Sequence, residues 1–167
     1  MSARAAPVPA DVETRATPEH HDALRLWLRL LATTNLIEER VRRLLQERFA
    51  TTLPRFDLMS QLERVPEGLK MGELSERLMV TGGNVTGITD LLEREGLVTR
   101  VTDRSDRRAS RVRLTAAGRK AFRAMADEHE RWIIEACGGL RARELSQLTD
   151  LLGRLKSRVR TLERSAS

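Results

Sequence analysis

Arg111, Val112, Arg113 and Leu114 alternate strictly between charged and aliphatic side chains, directly after the charged segment DRSDRRAS. A two-residue period is that of a half-buried strand, which turns Val112 and Leu114 inward and the two arginines outward. Upstream, Leu97 to Val101 form a second short run of apolar and β-branched residues, and the polar segment between the runs is too long for a two-residue turn. The pattern predicts a β-hairpin with a projecting loop. Between Arg100 and Arg113 six arginines stand against two aspartates, so most of the formal +6 of the chain falls in this hairpin. Each arginine that neutralises a phosphate releases a counterion, which makes such a concentration an electrostatic footprint for a polyanion. A solvated loop is the plainer alternative, and the neighbouring segments decide between the two.

Those neighbours read as helices. From His20 to Ala50 the apolar positions Leu24, Trp27, Leu28, Leu31, Ile37, Val41, Leu44, Leu45 and Phe49 mostly recur at three- and four-residue spacing, predicting one long amphipathic helix. Thr51 and Thr52 break it, and Pro54 suits the first turn of a second helix, PRFDLMSQLER, which ends before VPEG. A short third helix, Gly72 to Leu78, and a fourth, Asn84 to a stop at Gly96, flank the punctuation MVTGG. Two short helices joined by a brief glycine-containing turn are the parts of a helix-turn-helix, whose second helix enters the major groove of DNA. In that helix Val85, Ile88, Leu91 and Leu92 form a core stripe. Asn84, Thr86, Gly87, Thr89 and Asp90 are left on the other faces, small and polar enough to press on base edges. A helix-turn-helix followed at once by a basic hairpin is a winged helix.

A long helix follows from Thr115 to about Ala136, and beyond it Leu145, Leu148, Leu152, Leu155, Val159 and Leu162 repeat at alternating spacings of three and four. That seam exceeds what one small core can cover, so an intertwined homodimer is expected. The expected fold class is mainly α with a small β-hairpin wing: a winged helix-turn-helix, about 54–115, merged with a helical dimerisation region, about 20–50 and 115–163. Residues 1–18, rich in Pro, Ala and Thr and without a continuous apolar stretch, read as a flexible arm before a single domain over 19–167. No run approaches the ~18 apolar residues that span a bilayer, and Cys137 has no cysteine to pair with, so a cytoplasmic protein with no membrane partner is expected.

Catalytic patterns are missing. His20, His21 and His129 form no HExxH, nucleophile elbow or Cys-x-x-Cys set, and TGGNVTG lacks the Gly-Lys-Ser/Thr ending of a phosphate loop. Neither an enzyme, a cofactor nor a specific metal site is expected; Asp127, Glu128, His129 and Glu130 suit a solvated helix face better than a metal. Cys137 reads as a small core residue. With no tyrosine and few aromatic residues, most at helix-core spacing, single-stranded RNA is a poorer partner than double-stranded DNA.

Residues 71–122, MGELSERLMVTGGNVTGITDLLEREGLVTRVTDRSDRRASRVRLTAAGRKAF, resemble the MarR family of winged-helix transcription regulators. The resemblance covers the third helix, the recognition helix, the GLV strand entry, the wing motif Asp106 to Arg108 and the LTAAG start of the next helix. It implies one MarR-type domain, a dimer on a pseudo-palindromic operator, and minor-groove contact by Arg108, with Arg104 and Arg107 on phosphates. Thr81, Asn84, Thr86 and Thr89 complete the expected DNA-binding set. Many relatives carry an acid at the position of Thr81 that braces the wing arginine, a brace this chain lacks.

The resemblance also implies a small-molecule effector cleft lined by the first, second and fifth helices, with Trp27, Leu31, Arg55, Phe56 and Met59 as candidate walls. Ordinary core packing explains the apolar members of that set as well. TTLPRFDLMSQL and MVTGGNVTGITD are similar to the branch controlling degradation of aromatic acids, including hydroxycinnamates and their coenzyme A thioesters. Arg40, with Arg42 and Arg43, is then placed to meet coenzyme A phosphates, although a solvated helix face accounts for these residues too. The expected function is a repressor released by an aromatic acid or acyl-CoA. An oxidant- or metal-responsive regulator and a helical scaffold that binds no DNA are the alternatives.

Overall fold

The computed structural model describes residues 22–102 and 110–165; the N-terminal arm and the loop carrying Arg104, Arg107 and Arg108 lie outside the described residues. The elements run α1 (Asp22–Phe49), α2 (Leu53–Glu63), β1 (Leu69–Lys70), α3 (Met71–Leu78), α4 (Gly82–Arg94), β2 (Val98–Thr102), β3 (Ser110–Leu114), α5 (Ala116–Cys137) and α6 (Ala142–Ser165). The fold is mostly helical with a small antiparallel sheet, as the alternating arginines and the short helices imply. The chain divides into two compact units, Met1–Ala126 and Asp127–Ser167, a boundary that falls inside α5.

In the first unit the sheet order is β1-β3-β2, with β3 in the centre. Val112 lies opposite Leu69 on one side and Arg100 on the other, and Leu114 lies opposite Val98. Val112 and Leu114 are buried, as their alternation requires. The strand β1 was not legible, because two residues are too few to show a period. It follows Gly68, whose φ of +86° suits glycine and where a Cβ would stand 2.6 Å from the Val112 carbonyl oxygen. One expectation needs correction: Arg111 does not simply face solvent. Its Nη1 donates to the Gly68 carbonyl at 2.9 Å and lies 3.8 Å from Glu73 Oε2, so it ties β3 to α3.

Helical packing fills the other face. Val41 and Leu45 of α1, Phe56, Leu58, Met59 and Leu62 of α2, Leu74 of α3, Val85 and Leu92 of α4 and Phe122 of α5 are buried together with the sheet's Leu69 and Val98. Phe56 stacks on Phe122, with ring centroids 5.4 Å apart. The stripe predicted on α1 is only half used, since Leu24, Trp27 and Leu31 stay exposed. At the break after α1, Ala50 adopts a left-handed φ of 50° and Thr51 is buried.

The start of α5 is seated against β2 with little clearance. Thr115 donates its amide to the Leu97 carbonyl at 3.0 Å and its hydroxyl to the Gly96 carbonyl at 2.7 Å, and the Gly118 amide donates back to that hydroxyl at 2.9 Å. A Cβ on Gly118 would lie 1.9 Å from the Leu97 carbonyl oxygen, which is backbone and has nowhere to move.

In the second unit α6 opens with Arg141, whose amide donates to Glu144 Oε2 at 2.8 Å. The Arg141 side chain, whose Nε donates to Glu144 Oε1 at 3.0 Å, and then that amide hold the Glu144 carboxyl below its usual range. The seam predicted on α6 is helical, and every member is exposed in the single chain, from 37% at Leu152 to 51% at Leu162. Trp132 is buried and meets His129 edge-on, at 6.5 Å between ring centroids, and burial pushes the His129 imidazole below its usual pKa.

Two outcomes are expected. Gly118→Ala should lower stability by at least ~1 to 3 kcal/mol, the scale of forced overpacking, measured by urea denaturation. Asp57→Asn should raise the Tm at neutral pH. Burial, then the nearby Glu38, pushes the Asp57 carboxyl above its ordinary value, outweighing Arg42. A raised folded-state pKa stabilises the fold below the unfolded pKa, and that contribution is lost as pH rises through the folded value. The gain from Asn should therefore vanish near pH 3.5, roughly where a free Asp is already protonated.

Candidate nucleic-acid interface

The turn between α3 and α4 is built differently from the sequence expectation. Its left-handed residue is Met79, at φ 53° and ψ 39°, and the Val80 amide reaches back to the Ser75 carbonyl at 3.2 Å. Glycine would adopt this conformation without strain, whereas Met79 holds it with 92% of its surface exposed. The glycines Gly82 and Gly83 belong to the first turn of α4, which starts two residues earlier than the expected Asn84. The amides of Asn84 and Val85 both donate to the Thr81 carbonyl, at 3.1 and 3.2 Å, and so place Thr81 at the N-cap. Its hydroxyl makes no capping bond.

Thr81, Gly82, Gly83, Asn84, Thr86 and Gly87 form the exposed start of this helix. The Thr86 hydroxyl donates to the Gly82 carbonyl at 2.9 Å. Thr89 is a correction: it is fully buried, and its hydroxyl donates to the Val85 carbonyl at 2.8 Å. It therefore has no route to a base edge. Residues 85, 89 and 92 share one helical stripe, so Thr89 takes the inward place assigned to Leu91, which is exposed.

Among the described residues a Cβ on Gly83 or Gly87 would meet nothing within 4 Å, so packing against them does not explain either glycine. A glycine inside a helix costs about 1 kcal/mol relative to alanine. What the glycines provide is a low surface across which another backbone can approach closely.

Charge around the hairpin is less free than its composition suggests. Arg111 is held by Gly68 and Glu73, and Arg100 is paired with Asp90 and Glu93, which leaves Arg113 as the exposed arginine among the described residues of the two strands. A groove of about 490 Å³ lies beside the start of α4, between Arg42 and Gln46 of α1, Thr51 to Pro54, and Asn84 and Ile88.

The expected effector residues do not share one open surface. Trp27, 57% exposed, and Leu31 lie on the outer part of α1, and Arg40 is half-buried. Phe56 and Met59 are core residues, and Arg55 is ion-paired with Glu95 at the end of α4. Burial of α2's apolar residues makes Phe56 and Met59 packing elements, a correction to their expected place in a cleft wall. On α5, Glu128 pairs with Arg131, and among the described residues no three His, Cys, Asp or Glu side chains are grouped to hold a metal ion. Cys137 is half-buried, and no described helix is long and apolar enough to cross a membrane.

Short helices meeting at a tight turn, a side-chain-poor second helix and a three-stranded wing base define a winged helix-turn-helix transcription regulator. Residues 51–109 match the MarR family. A MarR family transcriptional regulator from Silicibacter pomeroyi is 31% identical and superposes with a TM-score of 0.69, over 85% of this chain and 99% of that one. The S. aureus MepR–DNA complex shares the fold at 20% identity and a TM-score of 0.69, over 83% of this chain and 99% of that one. The transcriptional activatory protein BadR of Rhodopseudomonas palustris is 33% identical over 106 residues, which are 62% of this chain and 60% of BadR. This chain belongs to the MarR family: it is a DNA-binding transcriptional regulator and not an enzyme.

If the glycine face of α4 lies against DNA, stability and binding should move in opposite directions. Gly87→Ala should raise stability by roughly 0.5 to 1 kcal/mol and weaken operator binding, read by thermal melts and by fluorescence anisotropy on the same preparation.

Proposed function

We propose that this chain acts in the cytoplasm as a homodimer on a pseudo-palindromic operator. Each protomer lays α4 in the major groove and its hairpin along the flanking backbone or minor groove, and the dimer represses until an aromatic acid or its coenzyme A thioester binds. The exposed start of α4 carries the DNA reading, with Thr81, Asn84 and Thr86 standing beside Gly83 and Gly87, which no described residue covers. Polar groups near the start of a recognition helix are those that reach base edges, and two such helices about a two-fold axis meet half-sites ~10 base pairs apart. The uncovered leucine seam of α6 supports the dimer, since apolar residues at that spacing gain by packing on an equivalent helix.

The effector reading rests on the surface of α1. Trp27 and Leu31 offer exposed apolar area and Arg40 a cation for a carboxylate or phosphate. Such a ligand releases DNA only if it binds the DNA-incompetent state more tightly. BadR is named an activatory protein, so the sign of the response is itself part of the test.

The test is binding to duplex from the promoter beside the chain's own gene, titrated at several salt concentrations. Log affinity should fall steeply and linearly with log salt. Arg108→Ala, and to a lesser degree Arg104→Ala and Arg107→Ala, should weaken binding while the dimer stays folded. Free aromatic acids or their thioesters should raise the Kd. Absence of any salt-dependent binding overturns the DNA reading in favour of a scaffold. Release by an oxidant or metal ion, with no response to the aromatic panel, overturns the effector reading and moves the sensor to Cys137 or His129.

A further inference from the structure

A cluster of charged side chains lies between the recognition helix and the wing. Arg100 is the middle residue of β2, paired in register with Val112. Its Nη2 donates to Asp90 Oδ1 and its Nη1 to Glu93 Oε2, while its backbone amide donates to Glu93 Oε1 at 3.0 Å. Both Glu93 oxygens are thus engaged by one residue, one by the strand's backbone and the other by the side chain. Asp90 and Glu93 are three residues apart and face the strand from one side of α4. A planar guanidinium can serve two separate acceptors at once, which an ammonium group does not do with fixed geometry. The bond to Asp90 is the main reason the Arg100 guanidinium is held even more firmly protonated than usual.

We propose that Arg100, Asp90 and Glu93 are positioning residues that lock the wing to the recognition helix, so that both reach DNA as one rigid body. The proposal rests on the DNA reading above. Stability alone is a poor reason for the cluster, because partly exposed ion pairs contribute little to it. Electrostatics alone is a worse one, since one arginine against two acids leaves net negative charge on a helix that meets a polyanion. Geometry accounts for it. Thr115 and Gly118 hold the hairpin at its base, at Leu97, and Arg100 ties it again three residues further toward the loop. Gly96, at φ +71°, is the joint between α4 and β2 that this second tie braces.

The sign of one substitution tests the proposal. Asp90→Ala removes a negative charge from a DNA-facing helix together with the acceptor that Arg100 uses, so simple electrostatics makes it bind operator as well as or better than the wild type. Positioning makes it bind about five- to tenfold more weakly, the scale of one or two lost contacts. The slope of log affinity against log salt should also become shallower, although the protein has become more basic. Asp90→Glu keeps an acceptor and should retain affinity, whereas Arg100→Lys keeps the charge but loses the fork and should weaken binding like Asp90→Ala. All are measured where circular dichroism shows each variant fully folded, so that lost stability does not mimic lost affinity. Salt-dependent binding by the wild type with Asp90→Ala equal or tighter, or with Arg100→Lys unchanged, overturns the proposal and leaves the DNA reading standing. A wild type with no salt-dependent binding overturns both.

Discussion

The central strand β3 sets the register on which the interface depends. Val112 and Leu114 are buried, and a slip of one residue would turn both to solvent and bring Arg111 and Arg113 into the core. That penalty fixes Leu69 against Val112 on one side and Val98 against Leu114 on the other. The register then decides which arginines are available. Arg111 is delivered to the Gly68 carbonyl and Glu73, Arg100 to the acids of α4, and Arg113 to solvent. A composition of six arginines thus resolves into internal ties and outward charge according to which strand position each occupies.

The recognition helix shows the opposite economy, in which side chains are withheld. Its inner stripe of Val85, Thr89 and Leu92 is buried, and Thr89 avoids an orphaned hydroxyl by donating to the Val85 carbonyl one turn back. Its outer start carries Gly83 and Gly87, which weaken the helix and pack against none of the described residues. Met79 adds a left-handed, exposed residue to the turn before it. Local rules are broken here, and such violations concentrate at functional sites.

Apolar surface left uncovered is the second theme. Leu24, Trp27 and Leu31 on α1 and the six-residue seam on α6 are exposed in the single chain. Burying apolar area contributes about 25 cal/mol per Å², so surfaces of this length favour association. The proposed effector need not touch α4 to change affinity, since coupling between two sites is a difference in binding free energy between states.

The helix-turn-helix, the hairpin and the leucine seam were legible in the sequence because each is a local periodicity: two residues for a strand, three to four for a helix. The residues of the first two carried the family resemblance as well. Periodicity says which positions share a face, but not what covers that face. Leu91 and Thr89 are both plausible inward residues until the helix is docked, and Phe56 and Met59 fit a cleft or a core equally well until Phe122 is stacked against Phe56. The two-residue strand β1 and the true start of α4 at Gly82 escaped for a related reason, since glycines and very short strands carry no period. Composition showed that the hairpin is basic; only tertiary structure decided that Arg100 and Arg111 are committed within the protein. Ion pairs join residues distant along the chain, and their partners exist only once the sheet register and the docking of α3 and α4 have brought the acids within reach.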